Sequence, residues 1–298
     1  MKPLSWHQLE YFHAVARLQH VSRAARQLGI SQPALSRALA RLEAELSIPL
    51  FDRVGRSIRL TPYGELFQRR VGRALREIDD GRAELDELAN PGHGTIGLGF
   101  LRTLGISFVP RLVREFSASF PDVHFSFIQN NDIALEELLT RGELDLILNS
   151  TPLRGTAFDW QLIADQELVL IVPLSHHLAR KRRVAMRDLA DEPFVCFKPG
   201  NAFRRQTEEL CRAAGFLPRI KFEADDSSSI PGFVASGFGI AIVPVECADS
   251  AQVVTLRLTR PTARRKIGIA RLKDRYHSAS ARALHDFVLA QGRSLLTN

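Results

Sequence analysis

VSRAARQLGISQPALSRALARLEAEL, residues 21–46, joins two helix-period patterns through a single Gly-Ile-Ser. Ala24, Ala25 and Leu28 form one apolar face, and Leu35, Ala38, Leu39 and Leu42 form the other, at the three- and four-residue spacing a helix requires. Gly29 between them can take the left-handed backbone of a tight turn, Ala25 is small where the helices must cross, and Ile30 can plug the corner. Ser31 reads as the cap of the second helix, with Pro33 in its first turn, where a missing N–H costs nothing. The pattern is that of a helix-turn-helix whose second helix offers Ser31, Gln32, Pro33, Ser36, Arg37 and Arg41 to a DNA major groove. The competing reading is a plain helical hairpin with Arg37 and Arg41 merely solvated.

The flanks favour the DNA reader. Upstream, Leu9, Phe12, Val15, Ala16 and Leu18 mark an amphipathic helix that would pack behind the hairpin. Downstream, PLFDRVGRSIRLTPYG (49–64) alternates Ile58 and Leu60 with polar residues around a turn at Gly55, which describes a two-stranded wing. Arg53, Arg56 and Arg59 would project from it toward phosphates or a minor groove. Residues 1–61 carry nine Lys and Arg against four Asp and Glu, an excess of five. The whole chain of 298 residues has a net charge of +7, so most of the excess sits in this expected DNA-binding domain, 1–61.

From Pro62 the pattern is helical through residue 89, with Thr61 as cap. Phe67, Val71, Ala74, Ile78, Leu85 and Leu88 form a narrow heptad-like seam in which Gly81 takes one seam position. The expectation for 62–89 is a dimerisation helix able to bend at Gly81; the alternative is a helix lying on its own domain. Asn90-Pro91-Gly92-His93-Gly94 then breaks the chain.

Residues 90–298 read as strand and helix in alternation: strands at 95–100, 124–129, 144–149, 194–198, 220–224 and 239–244, with helices at 108–120, 133–140, 203–214, 230–236 and about 278–289. Continuous apolar strands between amphipathic helices imply a parallel sheet covered on both faces. Stretches 167–173 and 265–272 read as two crossings of a hinge. The fold class is therefore α/β, with one lobe over about 94–164 and 272–298 and a second over about 165–271.

Composition, 45% apolar and 24% charged, is that of a soluble globular protein, and no stretch has the length or apolarity of a signal peptide or a membrane span. The expected location is cytoplasmic, without membrane association. Cys196, Cys211 and Cys247 are far apart and read as buried thiols. There is no G-x-S-x-G elbow, P-loop, G-x-G-x-x-G helix start or H-E-x-x-H, so no enzyme, cofactor or catalytic residue is expected. His176-His177 lies in a polar turn with no carboxylate at ligand spacing, and Asp225 to Ser229 lacks the alternation of a calcium loop, so no metal is expected either. Asp225 to Ser229 reads instead as the cap of the following helix.

SRAARQLGISQPALSRALARLEAELSIPLFDRVGRSIRLTPYG (22–64) resembles the winged helix-turn-helix of LysR-type transcriptional regulators, through AA-x-x-L, SQPALS, LE-x-EL, LF-x-R and LT-x-x-G. Two departures are His20-Val21, where many members have Gly-Ser, leaving the cap to Ser22 or backbone, and Ser47, where Gly is usual after the second helix. GTIGLGF, the FPDV run, GELDL and GFGIAIVP further resemble the bilobed, periplasmic-binding-protein-like effector domain of that family. The resemblance implies a homodimer or homotetramer on an interrupted palindrome of double-stranded DNA, a small-molecule effector between the lobes, and RNA polymerase as a further partner. Ligands in such folds lie outside the carboxyl ends of strands, near helix N-termini. That places Leu101, Thr103, Leu104, Gln129, Asn130, Ser150, Thr151, Lys198, Asn201, Phe203, Arg204 and Asp226 as candidate effector contacts, with Thr103 foremost and Lys198 and Arg204 as countercharge to an anion. The other readings are an architectural DNA-binding protein without a ligand, and an α/β enzyme fused to a DNA-binding domain.

Overall fold

Three helices and a wing build the N-terminal unit: α1 (Trp6–Leu18), α2 (Val21–Gln27), α3 (Gln32–Leu46), β1 (Phe51–Val54), β2 (Ser57–Leu60) and the long α4 (Pro62–Ala89). The computed structural model describes residues 4–297 except 55–56, 90–93, 154, 200, 225–226 and 249–250, and it leaves out the side chains of 53–54, 57, 83, 86–89 and 297. The chain divides into two units, residues 1–86 and 87–298. No described helix is long and apolar enough to cross a membrane.

Local chemistry sets each helix end in the first unit. Ser5 and Gln8 form a reciprocal capping box on α1. His20 caps α2, its Nδ1 accepting the Arg23 N–H at 3.4 Å, so the cap expected at Ser22 or backbone falls to an imidazole. Gly29 has φ +68° and Ser31 Oγ accepts from Ala34 N–H. Ser47 adopts the left-handed conformation at φ 55°, where glycine would be relaxed. Thr61 caps α4 by accepting from Gly64 N–H, and its hydroxyl donates to the Pro49 carbonyl. A Cβ on Gly64 would stand 2.0 Å from the Leu50 carbonyl oxygen, which explains glycine there.

Phe12, Val15, Ala24, Ala25, Leu35, Leu39 and Leu42 make the core of this unit, joined by Val71 and Leu75 of α4. Here the expected seam is corrected. Val71 is buried, and the Phe67 ring lies 5.0 Å from that of Phe12, so both serve the unit's own core. Ala74, Ile78 and Leu85 are exposed, while the Leu88 side chain lies outside the described residues.

The second unit comprises β3 (Gly94–Leu101), α5 (Phe108–Ser119), β4 (Val123–Asn130), α6 (Asp132–Thr140), β5 (Leu146–Asn149), β6 (Phe158–Pro173), β7 (Arg183–Ala185) and β8 (Pro193–Phe197). It continues through α7 (Ala202–Ala213), β9 (Arg219–Ala224), α8 (Ile230–Ala235), β10 (Ala241–Pro244), β11 (Val253–Thr259), β12 (Arg264–Leu272) and α9 (Ala279–Thr297). The sheet is mixed rather than parallel. β3 pairs in parallel with β4 and β5, and β8 with β9, but β12 runs antiparallel to β5 and β6, and β6 antiparallel to β10 and β11. An apolar run reports burial on both faces, and direction is left to the connections.

Two separate cores define the lobes. One gathers Ile96, Leu98, Phe108, Leu112, Leu148 and Ile163 with Ile267, Ile269 and Leu284, and the other runs from Leu168 to Ala263 through Phe194, Phe203 and Val243. The two crossings therefore lie at 165–167 in β6 and 264–266 in β12. The second comes earlier than the expected boundary near 271, because β12 already pairs with β5 from Gly268 to Ala270.

Candidate nucleic-acid interface and anion cleft

The N-terminal half of α3 carries the candidate reading face. Ser31, Gln32, Pro33, Arg37 and Arg41 are exposed and Ser36 is half-buried, while Leu35, Leu39 and Leu42 point inward. Arg59 is exposed on β2; the Arg53 side chain and all of Arg56 lie outside the described residues. Glu43 performs a task absent from the sequence reading. Its Oε1 accepts the N–H groups of Leu50 (2.7 Å) and Phe51 (3.0 Å), which ties the wing root to the last turns of α3. Two amides at one carboxylate oxygen are charge-assisted bonds that fix the angle of wing to helix.

In the second unit, a cleft enclosing about 440 Å³, open mouth included, lies where the two lobes face each other. Its walls come from the loops after β3, β4, β5 and β8: Leu101, Arg102 and Thr103; Asn130, Asn131 and Asp132; Ser150; and Phe197, Asn201, Ala202 and Phe203, closed by Ser227 and Arg265. Thus Leu101, Thr103, Asn130, Ser150, Asn201 and Phe203 of the expected set meet on one cavity.

The others stand elsewhere. Leu104 is buried in the core of the first lobe. Gln129 is exposed, with its amide against Gly105. Thr151 offers its carbonyl to Asn149 Nδ2 at 2.7 Å. Lys198 is exposed and not on the wall. Arg204 is taken up inside the second lobe by Glu208 and Glu223 (2.8 Å) and the Phe197 carbonyl (3.0 Å), so it is no countercharge to a ligand. Asp226 lies outside the described residues, and Ser229 holds the N-cap position of α8 without a side-chain cap bond.

Arg265 is the residue missed. It sits on β12 between the two lobe cores, only 3% exposed, and its guanidinium reaches both lobes. Nη2 donates to Thr103 Oγ1 at 3.0 Å, Nε donates to Gln166 Oε1, and the charge lies 4.8 Å from the centroid of the Phe203 ring. Gln166 in turn donates to Glu246 Oε2 at 2.8 Å. Nη1 is buried without a hydrogen-bond partner among the described residues. Burial drives the Arg265 pKa down from 12.5 to about 10, partly opposed by Cys247, Glu246 and Asp132, and the group stays cationic at neutral pH. A buried cation with an unused donor is costly to leave bare. The arrangement can hold an anion. One sequence signal existed: Arg265, Ile267 and Ile269 fall on one face at strand period, so Arg265 shares the buried side.

Asp132 faces the same cavity and is itself buried, accepting from Ser150 N–H at 2.9 Å and from its hydroxyl at 3.2 Å. Asn131 and Asn201 cap α6 and α7, accepting from Ala134 N–H and Phe203 N–H. None of the three cysteines is in a disulfide and all are buried; burial raises Cys196 and pushes Cys211 up to about 12, the opposite of a reactive thiolate.

Two family models match the chain: the bacterial regulatory helix-turn-helix protein, lysR family, over residues 6–65, and the LysR substrate binding domain over residues 89–293. The HTH-type transcriptional regulator YybE of Bacillus subtilis is 40% identical over 288 residues, covering 96% of this chain and 99% of that one. The transcriptional dual regulator GltC of the same organism is 33% identical, with 95% of each chain covered. Among solved structures, the effector binding domain of QuiR in complex with shikimate superposes with a TM-score of 0.63 at 30% identity, over 68% of this chain and 98% of that one.

Proposed function

The chain belongs to the LysR family of bacterial transcriptional regulators, a DNA-binding head joined to an effector-binding domain, and we propose that a small hydroxylated carboxylate held against Arg265 governs its action on DNA. The observation that carries the proposal is the buried Nη1 of Arg265 on the wall of the cleft, a cationic donor without a partner among the described residues. A carboxylate supplies the acceptor it lacks. Asp132 decides between a bare oxyanion and a hydroxy acid, because a second carboxylate on the wall repels an anion that has nothing to donate, whereas ligand hydroxyls can donate to Asp132 and Asn130. QuiR, with its shikimate, supports the same class.

On the DNA side, Gln32, Ser36 and Arg37 read base edges, and Ser31, Arg41, Arg53, Arg56 and Arg59 position the head on phosphates or a minor groove. Ala74, Ile78, Leu85 and Leu88 supply the dimer face of α4, and the dimer addresses two half-sites of an interrupted palindrome. Ligand and DNA are coupled only as far as the ligand prefers one arrangement of the protein to another. RNA polymerase would be met at the promoter by the DNA-bound oligomer.

The test is selection of genomic fragments by the purified protein at two salt concentrations, repeated with shikimate and with benzoate. Enrichment of one interrupted palindrome, altered by shikimate and not by benzoate, is the expected result. Salt-sensitive binding without sequence preference would replace the proposal with an architectural protein.

A further inference from the structure

In the second lobe, the turn after β6 meets the residue that leads into β8. His176 Nε2 lies 3.3 Å from Glu192 Oε2, and His177 Nε2 lies 3.5 Å from Glu192 Oε1. The three ligand atoms fall within 4.8 Å of one another, the one such group of His, Cys, Asp or Glu among the described residues. The His-His pair is visible in the sequence, but the carboxylate is sixteen residues away in the chain. The excursion through β7 returns it, which corrects the expectation that no carboxylate stands near.

We propose that His176, His177 and Glu192 form a binding site for a divalent transition-metal ion, zinc in particular, that clamps the two ends of the 174–192 excursion. The inference is independent of the effector reading. Zinc holds imidazole nitrogen and carboxylate oxygen at about 2.0–2.2 Å in a tetrahedron, which sets ligand atoms roughly 3.3–3.5 Å apart. Each His–Glu separation has that length already, His176 to one carboxylate oxygen and His177 to the other, so a small turn of the carboxylate would complete the set. Both backbones are fixed as well: His176 N–H donates to the Pro173 carbonyl at 3.0 Å, and Glu192 N–H to the Leu189 carbonyl at 3.1 Å. The side chains of His176 and Glu192 are 16% exposed while that of His177 is 68% exposed, so the ion would enter from the His177 side and keep its fourth position open to water. One bond is lost. His176 Nδ1 accepts the Leu178 N–H at 3.3 Å, so the metal-free neutral ring carries its proton on Nε2; coordination through Nε2 moves that proton to Nδ1 and releases the Leu178 amide. That long cap is weak beside a zinc–imidazole bond, and the mixed nitrogen and oxygen set suits zinc, nickel or cobalt over magnesium or calcium.

The experiment strips the full-length protein with a chelator, removes the chelator, and titrates zinc chloride while bound metal and thermal unfolding are followed; cobalt in place of zinc reports geometry by its visible absorption. One zinc per chain, a raised melting temperature and a tetrahedral cobalt spectrum are expected. His177→Ala, at an exposed position, should leave the metal-free melting temperature unchanged and weaken zinc binding by roughly tenfold or more, since even outer-shell changes reach that size. Glu192→Gln should weaken it likewise, and His124→Ala, at another exposed histidine, should not. Zinc binding that is absent in the parent protein, or equal in His177→Ala and the parent, overturns the site.

Discussion

Replacing Arg265 by methionine separates the two roles of its charge. The side chain keeps much of its length and its contact with Phe203, but loses the cation and all donors. The shift of the Arg265 pKa from 12.5 to about 10 corresponds to about 3 kcal/mol held against the charged form. Arg265→Met releases that cost. Against it stand the bonds to Thr103 and Gln166, charge-assisted and worth about 1.5–3 kcal/mol each. The bonds outweigh the released cost by about 0–3 kcal/mol, and since 1 kcal/mol moves the melting temperature of a domain of this size by about 2–4 °C, the ligand-free variant should melt between the parent temperature and about 12 °C below it. Ligand binding has no such cancellation. Loss of one charge-assisted contact to a carboxylate, about 1.5–3 kcal/mol, predicts affinity for shikimate weaker by about 10- to 100-fold. Calorimetric titration of both proteins with shikimate, with sulfate and benzoate alongside, reads this directly, and fluorescence anisotropy on the selected operator checks that unliganded DNA affinity is kept. Equal shikimate affinity in the two proteins would refute the role given to Arg265. So would a variant that melts well below that range, for that would make Arg265 a structural strut.

Three further outcomes follow from other parts of the molecule. Thr103→Val keeps the shape of the wall but removes the acceptor for Arg265 Nη2, so effector response should fall while DNA affinity in the absence of effector stays; unchanged effector affinity by calorimetry would reject the assignment. Gly64→Ala drives a methyl group onto the Leu50 carbonyl at 2.0 Å, an overpacking against backbone that should cost about 3 kcal/mol or more and abolish operator binding through the head alone, with effector binding spared. Gly81→Ala meets nothing within 4 Å and should raise the helix stability of α4 by about 1 kcal/mol, visible as a higher melting temperature of the head; if bending at Gly81 serves regulation, the effector-induced change in the DNA footprint should shrink as well.

The head was legible because its determinants are local. Helix period, Gly29 at a left-handed turn, Ser31 as a cap and Pro33 in the first turn are each settled within four residues of chain. The limit appears where one pattern has two readings. Phe67 and Val71 fit a dimer seam and a domain core equally well at the same spacing, and only the position of Phe12 decides for the core. Half of the cleft was legible for a related reason: strand-to-helix transitions mark Thr103, Asn130, Ser150 and Asn201 as loop residues at strand ends, whatever the sheet's direction. Arg204 and Lys198 were misplaced because charge next to a loop says nothing about where the side chain turns, and Arg204 finds Glu208 one helical turn on. β11 and the first half of β6 carry no uniform apolar run, so they passed as connection; the two crossings were read, but not the antiparallel pairing that brings Arg265 to the cleft.

Those crossings also say how a ligand could act at a distance. Arg265 belongs to neither lobe core, yet it holds Thr103 of one lobe and, through Gln166, Glu246 of the other. Any relative movement of the lobes about residues 165–167 and 264–266 must stretch one of those bonds before it disturbs either core. Among the described residues, Nη1 finds no acceptor in the observed arrangement. A carboxylate that meets it favours this arrangement over any that lets water reach the guanidinium, and the preference is limited to what that contact is worth, about 1.5–3 kcal/mol. Allosteric couplings are typically 1–3 kcal/mol, so a single buried donor is sufficient to produce one. It follows that Arg265→Lys, which keeps the charge but replaces the planar fork by a single ammonium, should retain measurable ligand binding while losing much of the coupling to DNA, because one ammonium cannot hold Thr103, Gln166 and a carboxylate in the same plane. Parallel measurement of shikimate affinity with and without operator DNA gives that coupling as a ratio, and a ratio unchanged from the parent would mean that the lobes communicate by another route.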